Sequence, residues 1–260
     1  METLTTYSNY QQFKQILDAV MIRAVEDFVI IGYLLNEAAT TDILLESGYA
    51  NVNEFAKAEY GIDDSQVSRF IRIHKRFGIP GEPRLQEKYV KHGVKKLGIM
   101  LTLPDSLNEE ISSEFSYSEI KAIKKEYEEE QKISDVEVAI EAKEMEESVQ
   151  YTLPEGLKQA VYQLVHDKPQ MYVRMYSCIE LDDLKEVMAP MGENSFVVRI
   201  KGVGKVAIFL RANGNISITN LRNGDKESYE WQQLFDALKE YFTMGGDAEA
   251  SWSNVFKEPL

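Results

Sequence analysis

Residues 53–77 read NEFAKAEYGIDDSQVSRFIRIHKRF. Asn53 can cap a short helix from Glu54 to Tyr60, Gly61 offers the left-handed conformation that ends it, and Ile62-Asp63-Asp64 lead into a second helix over Ser65 to Phe77. Helix, tight turn, helix is the layout of a helix-turn-helix. There the second helix turns an apolar face to its partner and polar or basic residues to the major groove. Ile62, Val67, Phe70, Ile71 and Ile73 suit the buried side. Ser65, Gln66, Ser68, Arg69 and Arg72 lie toward the start and outer side, where Gln and Arg can read base edges.

Charge supports this placement. The chain of 260 residues has a net charge of −14, which by itself argues against nucleic acid. Between Ser65 and Lys96, however, nine basic residues (Arg69, Arg72, Lys75, Arg76, Arg84, Lys88, Lys91, Lys95, Lys96) face only Glu82 and Glu87. Lys75, Arg76, Lys88, Lys91, Lys95 and Lys96 fit phosphate contacts that fix register. Most of the net negative charge, −10 of −14, lies in one later segment, residues 105–150.

Upstream, Phe13, Ile16, Leu17, Val20, Ala24, Phe28, Ile31 and Leu35 step by three and four, predicting one long helix or two over 9–39, with a further short helix from Asp42 to Ser47. Downstream, Gly78-Ile-Pro-Gly-Glu-Pro83 is a loop, Leu85 to Leu101 returns to helix with an interruption at Gly93, and Ser116 opens a helix to Glu130 with Glu119 completing a capping box. The charge-dense run that follows reads as an exposed helix or linker. Beyond residue 150, helices over Leu157–Val165 and Leu181–Met188 precede three Val-, Ile- and Phe-rich strands: Phe196–Lys201, Lys205–Arg211 and Asn215–Asn220. The turn signals Gly202-Val-Gly204 and Asn213-Gly214 separate them. Asn223-Gly224 and Ser228–Trp231 add a fourth extended segment, with Tyr229 and Trp231 on one face. Trp231–Phe242 is a helix to cover the sheet, and the tail after Gly245 reads as loosely held. The expectation is an α+β protein: a helical helix-turn-helix domain over 1–104, an acidic helical connector over 105–150 and a small sheet-plus-helix domain over 151–260.

The segment from Asn53 to Phe77, with LQEKYVKHGVKKLGIMLTLPD and SYSEIKAIKKE after it, resembles the DNA-binding region of ParB-like partition proteins. Ala56, Gly61, Val67 and Ser68 match that pattern, with one residue more between Ala56 and Gly61. The family's Arg-rich nucleotide box has no counterpart, so nucleotide chemistry is not implied. Residues 20–125, through FVIIGYLLNEA, ESGYANVNEFAKAEYGIDDSQVSRFIRI and RLQEKYVKHGVKKLGIMLTLPD, look like the N-terminal domain of accessory proteins from mobile elements (plasmids, conjugative elements and phages) of Firmicutes. Some of those are anti-CRISPR inhibitors of type II effector nucleases. The resemblance implies a nuclease carrying its guide RNA as partner; the helix-turn-helix and the basic island themselves point to duplex DNA as the alternative partner, with a homodimer as a possible assembly.

The acidic stretch suggests one inhibitory mechanism, since ordered carboxylates can imitate duplex phosphates. Glu126, Glu128, Glu129, Glu130, Asp135, Glu137, Glu141 and Glu144, with Glu146 and Glu147 beyond, are the candidates. In the C-terminal domain Arg199, Lys201, Lys205 and Arg211 could instead form a basic sheet surface. No nucleophile elbow, phosphate loop, paired-His zinc motif or kinase signature occurs, so neither catalysis, a cofactor nor a metal is expected. His74 and His92 read as surface residues, His166-Asp167 makes no catalytic pair, and Cys178 reads as a packed thiol. With one Cys, no basic-then-apolar leader and no long apolar run, the expected compartment is the cytoplasm of a bacterial host.

Overall fold

The computed structural model describes residues 27–44, 47–148, 156–178, 180–242 and 246–260, with backbone alone over 144–148. The chain divides into two compact units, Met1–Thr102 and Leu103–Leu260. Helices and one four-stranded antiparallel sheet make it an α+β protein, as expected. The helix expected before residue 27 lies outside the described residues. Among those described, no helix is long and apolar enough to cross a membrane.

In the first unit, α1 (27–40) is followed by a 3-10 turn at Asp42–Leu44, then α2 (Val52–Tyr60), α3 (Asp64–Phe77) and α4 (Gly93–Met100). The cap of α2 is Asn51, not Asn53: its side chain accepts the N–H groups of Asn53 and Glu54, each at 3.0 Å. At the other end Gly61 takes φ 69°, and Gly61 and Ile62 donate back to Lys57 and Ala56 at 3.1 and 3.2 Å. These two bonds satisfy orphan carbonyls and turn Ile62 inward against Leu35, Ala56, Val67 and Phe70. α1 crosses α3 at Gly32, where a methyl group would lie 2.8 Å from the Phe70 carbonyl carbon. The helix expected over Leu85–Leu101 is shorter. Leu85 forms an isolated bridge with Gly78, Glu87–Tyr89 is one 3-10 turn, and Gly93, at φ 72°, breaks the run before α4 starts.

The second unit is layered on a meander of β1 (Glu193–Ile200), β2 (Gly204–Arg211), β3 (Ile216–Asn220) and β4 (Lys226–Tyr229). Pairing of Val198 with Val206 and of Ile208 with Ile218 puts the apolar alternates on one face. That face packs with α8 (Gly156–Asp167), α9 (Pro169–Tyr176), α10 (Leu181–Met188), α11 (Trp231–Lys239) and α12 (Ala248–Phe256) into one core. Trp231 starts α11 and does not extend the strand, so it shares no strand face with Tyr229. Its indole N–H donates to the Arg211 carbonyl at 2.8 Å.

The tail is also anchored. Trp252 on α12 is 1% exposed, and the Tyr172 hydroxyl donates to the Tyr241 carbonyl at 2.8 Å while sharing a 2.7 Å bond with the Ser251 hydroxyl. Cys178 is half-buried against this core, and burial pushes its thiol pKa up.

The opposite sheet face is covered by the segment expected to be a separate connector. α5 (Asp105–Asn108), α6 (Tyr117–Glu130) and α7 (Asp135–Ser148) belong to the second unit. Ile120 and Ile123 are buried on α6, which packs against β1 and β2, and Phe115 meets Phe209 edge-on at 6.0 Å. The charges on this segment pair with cations of the sheet, which is why so acidic a stretch can be a structural layer.

Candidate nucleic-acid interface

The helix-turn-helix is built around the two faces of α3. Val67, Phe70, Ile73, His74 and Phe77 are buried. Ser65, Ser68, Arg69, Arg72 and Lys75, spaced at three and four, form the exposed row. Asp63 starts the helix. Its carboxylate accepts the Gln66 backbone N–H at 2.9 Å and the Ser65 hydroxyl at 2.6 Å, and these bonds hold its pKa below the usual carboxylate value. The Gln66 side-chain oxygen accepts the Asp63 N–H at 3.3 Å, completing a capping box. Sequence reading gave Gln66 to base contact; the Asp-x-x-Gln spacing was the signal for its capping role.

The other island residues divide in two. Arg76 is half-buried and donates to the Leu101 carbonyl at 2.7 Å, which ties α3 to the end of α4. Lys88 lies 4.8 Å over the Tyr89 ring, with Lys91 and Lys95 exposed and Lys96 half-exposed beyond it. The stem of Arg69 passes beside α4 at Gly98, 3.8 Å from where a methyl group would stand. The two expected surface histidines are inside: His74 is 6% exposed, bonded through Nε2 to the Glu82 carbonyl at 2.9 Å, and His92 is 3% exposed, its ring set edge-on to Tyr89. Their flanking charges made them look external; the phase of α3 places His74 on its packed side, and His92 is buried at the N-cap just before α4.

No family model, curated protein or solved structure matches this chain. The physical arrangement of its side chains therefore carries the functional argument.

Four candidate carboxylates of the second unit, Glu126, Glu129, Glu130 and Glu141, pair with cations of the sheet and its turns. Lys205 donates to Glu126 at 2.6 Å and to Glu129 at 2.8 Å. Burial pulls the Lys205 pKa down, but the two carboxylates outweigh it and hold it above the ordinary value. Glu130 is fully buried, with Arg222 donating twice to one of its oxygens at 2.9 and 3.2 Å. Asp135 pairs with Arg222 at 2.7 Å and Glu141 with Arg199 at 2.7 Å, and the Arg199 hydrogen bond draws the Glu141 pKa down.

Glu110, which sequence reading missed, is 1% exposed and gathers Arg211, Ser217 and Lys226. Burial raises its pKa, yet these donors bring it below normal. Glu128 is exposed beside Lys124, Glu137 is exposed, and the Glu144 side chain lies outside those described. Arg199, Lys205 and Arg211, suggested as a basic sheet surface, are the partners of these acids. Lys201 stays exposed at the β1–β2 turn. His166 meets Asp167 at 3.6 Å and Glu258 at 3.1 Å, between the rings of Tyr162 and Trp252.

Proposed function

We propose that this chain is a non-enzymatic, duplex-DNA-binding protein of a mobile genetic element, acting in the bacterial cytoplasm through the helix-turn-helix of its first unit. The outer row of α3 carries the reading: Ser68, Arg69, Arg72 and Lys75 are exposed together on a helix whose other face is closed. Arginines there can reach base edges, while Lys75, Lys88, Lys91 and Lys95 can hold phosphates. A homodimer would set two such helices on half-sites about one helical turn, ~34 Å, apart.

The test is fluorescence anisotropy with labelled duplex through a salt series. Each phosphate contact should contribute roughly −0.9 to the slope of log affinity against log salt. Replacing Arg69, Arg72 and Lys75 together by Ala should abolish most binding. Equal affinity of that variant and the parent would refute the proposal.

The N-terminal resemblance favours a second reading, inhibition of a type II CRISPR effector nuclease loaded with guide RNA. In this reading the protein occupies the nuclease complex and blocks target DNA. Cleavage assays with the order of addition varied separate the two: dose-dependent loss of cleavage, with a protein–nuclease complex and no shift of DNA alone, supports inhibition. Intact cleavage with a salt-sensitive shift of free duplex supports the DNA-binding role.

A further inference from the structure

Which bases α3 can read is restricted by its own side chains. Glutamine reads adenine with both ends of its amide, the oxygen accepting from N6 and the nitrogen donating to N7. Here the Gln66 side chain folds back so that its oxygen accepts the Asp63 N–H at 3.3 Å; that oxygen keeps a second lone pair, but presenting both ends of the amide to a base requires the side chain to leave the capping box. Ser65 is tied to the same Asp63 carboxylate. Arg76, one turn beyond Arg72, is held by the Leu101 carbonyl.

What remains facing outward past the first turn is Ser68, Arg69, Arg72 and Lys75, and of these the two arginines carry a fork of donors, whereas Lys75 offers a point charge suited to phosphate. Both arginines are exposed, and among the described residues neither guanidinium has a hydrogen-bond or ion-pair partner; Asp63 is the carboxylate whose charge is felt at Arg69. The guanidinium fork matches O6 and N7 of guanine, the base edge offering two acceptors in the major groove. Three residues of helix rise ~4.5 Å against ~3.4 Å per base pair, so the two forks address adjacent or next-but-one pairs.

We infer that Arg69 and Arg72 each read a guanine, the two lying within three consecutive base pairs, and that these arginines rather than Gln66 set the sequence preference. The inference rests on the DNA-binding reading above. Its ligand class is duplex DNA with guanines presented in one major groove.

Selection of the whole chain against a randomised duplex pool tests it, with circular dichroism to verify that each variant folds. The expected result is enrichment of two guanine positions within three base pairs. Arg69→Lys and Arg72→Lys keep the charge but lose the fork. Each should lose discrimination at one of the two positions by about 10- to 100-fold, with binding to unselected duplex within about twofold of the parent. Gln66→Glu keeps a capping acceptor and should leave both guanines selected. An adenine preference that Gln66→Glu removes would overturn the inference. Duplex binding with no base preference would overturn it too, yet leave the DNA-binding role intact. Absence of duplex binding at every salt concentration would overturn both.

Discussion

Replacing Glu110 by Gln removes one charge from the centre of the second unit. The Glu110 carboxylate is 1% exposed and accepts from Arg211 at 2.9 Å, from the Ser217 hydroxyl and from Lys226. A glutamine there keeps one acceptor but points an NH2 donor at groups that are themselves donors. Breaking a buried ion pair from one side costs about 3–5 kcal/mol when the stranded charge stays dry. Arg211 and Lys226 are 29% and 37% exposed, so both can rehydrate, and about 2–3 kcal/mol is the working figure. For a unit of this size that is a fall of about 4–12 °C in melting temperature.

The assay is selective, because the chain's two tryptophans, Trp231 and Trp252, both lie in the second unit and are buried, so their fluorescence follows its unfolding. The pH dependence carries a sign. The folded Glu110 pKa is depressed, so its contribution is complete above the unfolded value near ~4.3 and is lost as pH falls through the folded value. The gap between parent and variant should therefore close in acid. Glu128→Gln, at an exposed pair with Lys124, should shift stability by no more than about 0.5 kcal/mol. A Glu110→Gln protein melting within about 1 °C of the parent at pH 7, or a gap that persists unchanged into strong acid, would refute the reasoning.

Three further outcomes are expected. Gly32→Ala drives a methyl into the Phe70 backbone and should destabilise the first unit by about 1–3 kcal/mol, read as lost hydrogen-exchange protection in α3 with tryptophan fluorescence unaffected. Lys205→Met strands Glu126 and Glu129; because the folded Lys205 pKa is raised, the parent's advantage should be complete below the unfolded pKa and vanish as pH climbs through the folded one, a convergence measured by alkaline denaturation. Arg76→Ala should cost the first unit about 1–2 kcal/mol by removing its bond to Leu101, whereas Arg72→Ala should leave the melting curve in place and lower duplex affinity, so calorimetry and anisotropy give opposite orders for the two variants.

Where a local rule decides an element, the sequence showed it. Gly61 after an apolar-periodic run marked the turn, Asn213-Gly214 and Gly202 marked the hairpins, and Leu181–Met188 is helical over its expected bounds. What escaped was decided at a distance. Glu110 and Arg211 are 101 residues apart, Glu130 and Arg222 are 92 apart, and nothing in a charge-dense run names cations in strands not yet reached. α12 follows a glycine pair with few apolar residues and is fixed by the burial of Trp252, while Pro169 opens α9 from its first position, where the missing N–H costs nothing. On α3 the exposed arginines were legible from helical phase. The capping of Gln66 was legible too, in the Asp-x-x-Gln spacing; the capture of Arg76 and the burial of the two histidines were not, because those depend on partners that the fold supplies.

This distribution of partners bears on how the acidic segment could work. Imitation of a duplex requires several carboxylates held outward at phosphate-like intervals, since the attraction of a basic channel grows with the number of charges offered to it. On α6 and α7 four of the acids point the other way: Glu130 is buried under Arg222, Glu126 and Glu129 flank Lys205, and Glu141 holds Arg199. Turning them outward would strand those cations against the sheet, at the cost of a broken buried pair at Glu130. Among the described candidate side chains, Glu128 and Glu137 can be offered without that penalty, and with the exposed Asp135, itself paired to Arg222, they make a sparse copy of a phosphate ladder. The same pairing cancels the basic strand face, so the first unit, with its exposed arginines and lysines, is where a polyanion meets the least internal competition.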